Sequence, residues 1–312
     1  MSSAFKKRVL LTGATGFVGT ALMQSVSSGT TDNSHENVQI VPAPAELDLR
    51  DADAVAQAVT SARADAVIHL AARSAVPESF SDPHGTYAVN FIGTLNLLCA
   101  LRSTGFSGRF LYVSSGDVYG AVPVADLPIR EQRPLAPRSP YAVSKAAAEL
   151  LCGQWERSHD IDMVICRPFN HIGPGQDRRF AVSEFAAQLV EIKRTGAAPI
   201  LNVGNIDVTR DFLDVRDVVR AYFLLLDRGR RGVIYNICSG RERSLRSMIE
   251  LLSERLGLNV EIRVDSTRVR GNEQARVAGC PDRLIADTGW VPRARLEETV
   301  DRIIGHWEMK KT

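Results

Sequence analysis

Gly13, Gly16 and Gly19 stand at three-residue spacing, directly after the apolar run at 8–12 and at the opening of a helical pattern at 17–28. A strand that turns sharply into a helix needs a residue free to adopt positive φ, which Gly13 supplies. The second glycine lets the backbone approach a ligand closely, and the third lets the helix pack tightly on the strand. The start of such a helix offers unpaired N–H groups and the positive end of its dipole to an anion. Three glycines alone say little. At the first strand-to-helix junction of an alternating chain they predict a dinucleotide pyrophosphate, with tight packing alone as the plainer alternative.

The alternation continues. Short apolar runs at 38–41, 66–70, 109–113 and 162–166 read as strands, and 51–62, 87–101 and 141–159 read as helices. Continuous apolar strands separated by helices belong to parallel sheets covered on both faces. The predicted class is therefore α/β, a doubly wound parallel sheet of Rossmann type. After Arg167 the rhythm loosens. Helices at 182–194, 215–226, 245–255 and 296–307 alternate with short strands at 200–203, 233–237 and 261–264. The expected division is a cofactor domain at 1–167 and a smaller substrate-binding lobe at 168–312, with about 212–238 returning to the main sheet.

Composition excludes several other classes. With 312 residues, 45% hydrophobic, and a net charge of +2, the chain is neither disordered nor a nucleic-acid binder that relies on bulk positive charge. Its five cysteines are scattered, with no C-x-x-C pair and no Cys/His cluster. That pattern predicts free thiols in a reducing cytoplasm rather than a disulfide framework or a metal site. No apolar run approaches ~18 residues, so no membrane span is expected.

The second strand ends in Val41-Pro42-Ala43-Pro44. No carboxylate stands there to repel a ribose 2′-phosphate and no arginine to attract one, so the reading leans to NADPH with NADH left open. Asp48, followed by Leu49, is placed to accept from an adenine amine; a solvated loop or helix-start carboxylate is the alternative. Ser139-Pro140 suits a helix start, and Tyr141 and Lys145, four apart, share one helix face. An ammonium beside the phenol is expected to lower its pKa and suit it to proton transfer. Ser115 closes the strand before, where ligands of this topology sit.

These motifs together resemble a family, the extended short-chain dehydrogenase/reductases that act on nucleotide sugars. The resemblance covers nearly the whole chain. It rests on G-A-T-G-F-V-G at 13–19, V-I-H-L-A-A at 67–72, V-N-F-I-G-T-L-N-L-L at 89–98, S-S-G-D-V-Y-G at 114–120 and Y-A-V-S-K at 141–145. It continues in R-P-F-N-H-I-G-P-G-Q at 167–176 and R-D-F-L-D-V-R-D-V at 210–218. The last two motifs and the chain length look most like the members that reduce GDP-4-keto-6-deoxy-D-mannose to GDP-D-rhamnose. A 4-epimerase or 4,6-dehydratase of the same family is the alternative, and a non-catalytic cofactor-binding regulator a more distant one.

The resemblance implies roles. Ser115 would hydrogen-bond the sugar carbonyl, Tyr141 would protonate the alkoxide, and Lys145 would bind the nicotinamide ribose. Phe17, Val18, Leu70, Ala71 and Ala72 would line the cofactor, with Pro168 and Phe169 against the nicotinamide. Asp117, Asn170, Arg210, Arg270 and Glu273 would bind the nucleotide sugar; the last two match the family's R-x-x-D/E in part, within Arg270-Gly271-Asn272-Glu273. Plainer readings remain for several of these: an Arg210–Asp211 ion pair, Asn170 holding a loop, Asp117 bonding nearby backbone. His69 and His171 read as structural. Dehydratases of the family resemble one another in a Thr-Asp-Glu run; here Ser115-Gly116-Asp117 aligns with it, which implies reduction without dehydration. The resemblance also implies a homodimer, with helices 89–101 and 141–159 as its contact.

Overall fold

The computed structural model describes residues 6–28, 38–265 and 274–310. Six strands, β1 (Lys7–Thr12), β2 (Val38–Pro42), β3 (Ala66–His69), β4 (Arg109–Val113), β5 (Asp162–Pro168) and β9 (Ile234–Ile237), form an all-parallel sheet in the order β2-β1-β3-β4-β5-β9. Alternate side chains feed two cores, as strand periodicity requires. Val9, Leu11, Ile68, Leu111 and Val164 face α1 (Phe17–Ser28) and α8 (Val215–Arg228). Leu10, Val67, Phe110, Tyr112 and Met163 face α2 (Ala52–Ala62), α5 (Gly93–Ser103) and α6 (Pro140–His159).

The predicted helix at 87–101 differs in detail. It runs as α4 (Pro83–Tyr87), a π-helical turn (Ala88–Ile92) and α5. Such turns interrupt the regular ladder where a side chain is drawn elsewhere. Here Asn90 accepts from Arg73 N at 2.8 Å and donates to Arg73 O at 3.1 Å and Ser144 Oγ at 2.9 Å. It thereby ties the loop after β3 to the N-terminal part of α6.

A third core, including Val182, Phe185, Leu201, Met248 and Ile303, forms under α7 (Ala181–Thr195), α9 (Leu245–Leu256) and α11 (Leu296–Met309). Two small sheets belong to this half: β10 (Glu242–Ser244), β8 (Thr209–Asp214) and β6 (Asn170–Ile172) in the order β10-β8-β6, and β11 (Glu261–Val264) beside β7 (Ile200–Val203). The short polar strands β6 and β10 lack the apolar runs that reveal β1 to β5, so periodicity misses them. So it does the seven-residue α10 (Asp282–Thr288). Among the described residues no helix is long and apolar enough to cross a membrane.

The strand order reverses between β1 and β3, which opens a crevice at the carboxyl ends of the strands. The turns after β1, β3, β4 and β5 all empty into that crevice.

Candidate active site

The β1–α1 turn is built as its glycines require. Gly13 has φ +73°, and a Cβ there would meet Ala71 N at 2.7 Å, so the turn lies directly on the loop after β3. Gly19 is buried, and a Cβ there would collide with Gly13 O and come within 2.7 Å of Ala14 Cα. Gly16 differs: a Cβ there would meet only Gly13 O, at 3.4 Å. The position faces open space beside the first turn of α1, whose amides have no partners within the helix. A side chain would fill that cradle, and a phosphate fits it. Thr12 Oγ1 accepts from Ala71 N at 3.2 Å and pairs with His69 Nδ1 at 2.7 Å, while His69 Nε2 meets Thr94 Oγ1 at 3.0 Å. Burial, with Lys145 nearby, pushes the His69 pKa down to about 3, so His69 is a neutral strut.

Other predicted cofactor residues sit around this turn with different exposure. Ala71, Ala72 and Leu70 are half-buried on the crevice wall. Phe17 stacks on His171, with centroids 6.0 Å apart and planes at 2°, and Val18 packs on the sheet core. Two expectations change. Leu49 is 4% exposed within the core, which leaves only its main chain to line an adenine site. Phe169 is 5% exposed and packs with Val118, Ile129 and Cys238, so its ring has almost no surface for a nicotinamide; buried Pro168 at the end of β5 precedes it. Asp48 is exposed and held by Arg50, whose N and Nε donate at 2.9 Å and Nη2 at 2.6 Å. These bonds hold the Asp48 carboxyl down at about 2.

The predicted catalytic residues lie in the buried part of the crevice. Ser139 Oγ accepts from Ala142 N at 3.1 Å and caps α6, with Pro140 in its first turn, as the sequence predicts. The helix start carries Tyr141 to the end of β4. Ser115, Tyr141 and Lys145 are 9%, 8% and 4% exposed. Ser115 Oγ accepts from Asp117 N at 3.1 Å, capping the 3-10 turn Gly116–Tyr119, and it also hydrogen-bonds Tyr141. Lys145 Nζ donates to Val113 O at 2.8 Å and lies 5.2 Å from the Tyr112 ring centroid.

The expected lowering of the Tyr141 pKa does not occur. Burial, and then the charge of Asp117, push this phenol well above its ordinary range, and the Ser115 hydrogen bond offsets only part of that rise. The Lys145 ammonium is turned to Val113 O instead, and burial pulls its own pKa down to about 8. Tyr141 therefore keeps its proton at neutral pH.

The predicted substrate residues line a more open mouth. Asp117 is exposed on the 3-10 turn and Asn170 is exposed at the start of β6. Arg210, half-buried on β8, donates from Nη1 to Thr209 O at 2.7 Å and Gln274 O at 2.9 Å. Asp211, next in the strand, receives Ser239 N at 2.7 Å, Ser239 Oγ at 2.6 Å, Gly240 N at 2.9 Å and Gly279 N at 3.1 Å. It serves as a clamp on those loops. His171 Nδ1 is 2.9 Å from Phe169 O, and burial holds its pKa below the usual histidine value. Arg270 and Glu273 lie outside the described residues.

Sequence reasoning missed a buried polar group behind the site. Glu149 of α6 pairs with Arg167 of β5 at 2.6 Å, with the two side chains 4% and 3% exposed. The signal was available: an acid one turn beyond Lys145 on the same face, and an arginine closing an apolar strand.

The model of the GDP-mannose 4,6-dehydratase family matches residues 10–303. A GDP-6-deoxy-D-mannose reductase from Pseudomonas aeruginosa is 45% identical over 304 residues, covering 97% of this chain and 98% of that protein. The solved structure of RMD from Pseudomonas aeruginosa complexed with NADPH is similar with a TM-score of 0.91 and 45% identity, covering 97% of this chain and 99% of that one. A UDP-glucose 4-epimerase from Thermus thermophilus, solved with NAD, is similar with a TM-score of 0.83 and 30% identity, covering 97% and 99%.

Proposed function

The chain belongs to the GDP-mannose 4,6-dehydratase family of extended short-chain dehydrogenase/reductases, and from that premise we propose that it reduces the 4-keto group of GDP-4-keto-6-deoxy-D-mannose, giving GDP-D-rhamnose. The observation that carries this reading is the buried contact of Ser115 with Tyr141 at the crevice, in a chain 45% identical to a GDP-6-deoxy-D-mannose reductase.

The chain's own residues act as follows. Ser115 donates to the ketone oxygen and orients it. Tyr141, kept protonated by burial and Asp117, gives its proton to that oxygen as negative charge develops there. A phenol that holds its proton until the alkoxide forms suits the reductive direction. Lys145, held by Val113 O, binds the nicotinamide ribose. NADPH, when bound, supplies the hydride to carbon 4. The open cradle at Gly16 and the α1 N-terminus take its pyrophosphate, and a β2 end without a carboxylate leaves room for a 2′-phosphate.

Arg210 and Asn170, with Arg270, contact the nucleotide diphosphate, which we take as GDP, and Glu273 accepts from the ribose hydroxyls. We assign cofactor work to residues 1–167 and sugar recognition mainly to 168–312; of the expected return at about 212–238, α8 packs on the main sheet and β9 joins it, while β8 stays in the small sheet. Exposed Ile92, Val143 and Leu150, at 42%, 37% and 70%, supply an apolar face for a homodimer along α5 and α6. Free thiols at all five cysteines suit the reducing cytoplasm.

The test is product identity. Purified protein with NADPH is offered GDP-, dTDP- and UDP-linked 4-keto-6-deoxysugars, and products are assigned by NMR. GDP-D-rhamnose as the main product is expected. Turnover of only non-GDP sugars would contradict the proposal.

A further inference from the structure

α6 carries a buried acid on the same face as Lys145. Glu149 is 5% exposed and lies one turn beyond Lys145. Its carboxylate accepts from Ser114 Oγ, from Arg167 Nε at 3.0 and 3.2 Å, and from Arg167 Nη2 at 2.6 Å. Arg167 Nη1 donates onward to Tyr119 Oη at 2.9 Å and Glu131 O at 3.3 Å. Tyr119 donates to Asn236 Oδ1 at 2.7 Å, and Asn236 N donates to Glu131 Oε1 at 3.0 Å.

A buried ion pair is weak support for stability, because packed hydrocarbon of equal volume often does as well. This pair borders the reaction centre at two points. Residues 113–115 run past it in order: Val113 O receives Lys145, Ser114 Oγ is held by Glu149, and Ser115 meets Tyr141. Neighbours in an extended chain point to opposite faces, so anchoring Ser114 on one face sets Ser115 on the other.

We propose that Glu149, held by Arg167, is a positioning residue for the reduction, placing Ser115 through Ser114. This rests on the reductase reading above. The groups that face Lys145 are Tyr112 of β4, His69 of β3, Cys166 of β5, and Tyr141, Cys152 and Glu149 of its own helix. Burial pulls the ammonium down to about 8; Cys166 and Cys152, and after them the Glu149 carboxylate, oppose this, so Glu149 helps to keep Lys145 charged. His69 is held neutral. Glu149 itself faces Arg167, Ser114, Tyr119, Tyr112 and Cys152.

Single-turnover hydride transfer, measured against pH with saturating NADPH, tests the proposal. Glu149→Gln should move the alkaline limb down by up to about one pH unit and slow transfer up to about fivefold at the wild-type midpoint, with the KM for sugar nucleotide nearly unchanged. The double variant Glu149→Gln/Arg167→Met carries no orphaned charge and should recover thermal stability while keeping the displaced limb. Ser114→Ala should leave the limb in place and lower kcat about tenfold by loosening Ser115. A double variant that regains both stability and the wild-type limb would overturn the proposal, making the pair structural only. So would Ser114→Ala with wild-type kcat. A wild type that fails to reduce the sugar contradicts the reductase reading instead, and these variants then have nothing to position.

Discussion

The reaction centre and the mouth of the sugar lobe are built on opposite terms. Ser115, Tyr141 and Lys145 are each under a tenth exposed, and each has a partner inside the protein. Asn170 at the mouth is exposed, and Arg210 spends a guanidinium nitrogen on main-chain carbonyls at 2.7 and 2.9 Å. Groups that must be aimed within a fraction of an ångström are locked by packing before any ligand arrives, which removes reorganisation from the chemical step. Groups proposed to admit and release a diphosphate stay near solvent. The contrast separates what sets kcat from what sets KM.

The sharpest way to break the contrast is to ask the centre for a different reaction. Dehydration needs a base at carbon 5 and an acid at carbon 6. Gly116 has no side chain, and a Cβ there would meet the Phe169 ring at 3.3 Å, so the fold leaves little room for the missing carboxyl group. GDP-mannose with catalytic NADP⁺ should yield no 4-keto-6-deoxy product by NMR. Product from this protein alone would show that the centre is less committed than its packing suggests.

At the mouth, Arg210→Lys should raise the KM for the sugar nucleotide about tenfold with kcat changed less than twofold, because a guanidinium fork matches phosphate and an ammonium does not. Calorimetric titration of GDP gives the same answer without turnover. Equal GDP affinity in variant and wild type would return Arg210 to a structural role.

Much of the centre is legible because it is local. The glycine turn, the α6 cap at Ser139 and the Tyr141/Lys145 spacing are each written within one element. What escaped was assembled across elements. The Glu149–Arg167 pair joins α6 to β5, and Asn90 joins the π turn to Arg73 and Ser144. Leu49 and Phe169 were chosen by motif and turned inward, because a motif marks a stretch of backbone and burial decides which atoms face the crevice. The direction of the Tyr141 shift is not legible in the sequence for a similar reason. Spacing places Lys145 nearby, but only the fold shows its ammonium on Val113 O and the phenol desolvated.

That desolvation makes a pH prediction. The profile of kcat/KM reports the free enzyme. Burial sets Lys145 at about 8, and its charged form is the useful one, so activity should be retained below that pH and lost as pH rises through about 8. A limb no lower than the ordinary lysine range would mean that Lys145 is less enclosed than described. The smallest effect belongs to exposed Asp48. Its tie to Arg50 is a surface pair of little energetic weight, so Asp48→Asn should change NADPH affinity by less than about threefold in a fluorescence titration.

The central claim is that the buried Ser115–Tyr141 contact carries the chemistry. Its direct test is stopped-flow loss of NADPH absorbance with GDP-4-keto-6-deoxy-D-mannose, wild type against Tyr141→Phe, with cofactor affinity measured for both. The account predicts oxidation well above a sugar-free blank in the wild type, and a loss of at least about 10²-fold in the variant with NADPH binding retained. No oxidation by the wild type, or near wild-type transfer by Tyr141→Phe, would contradict it.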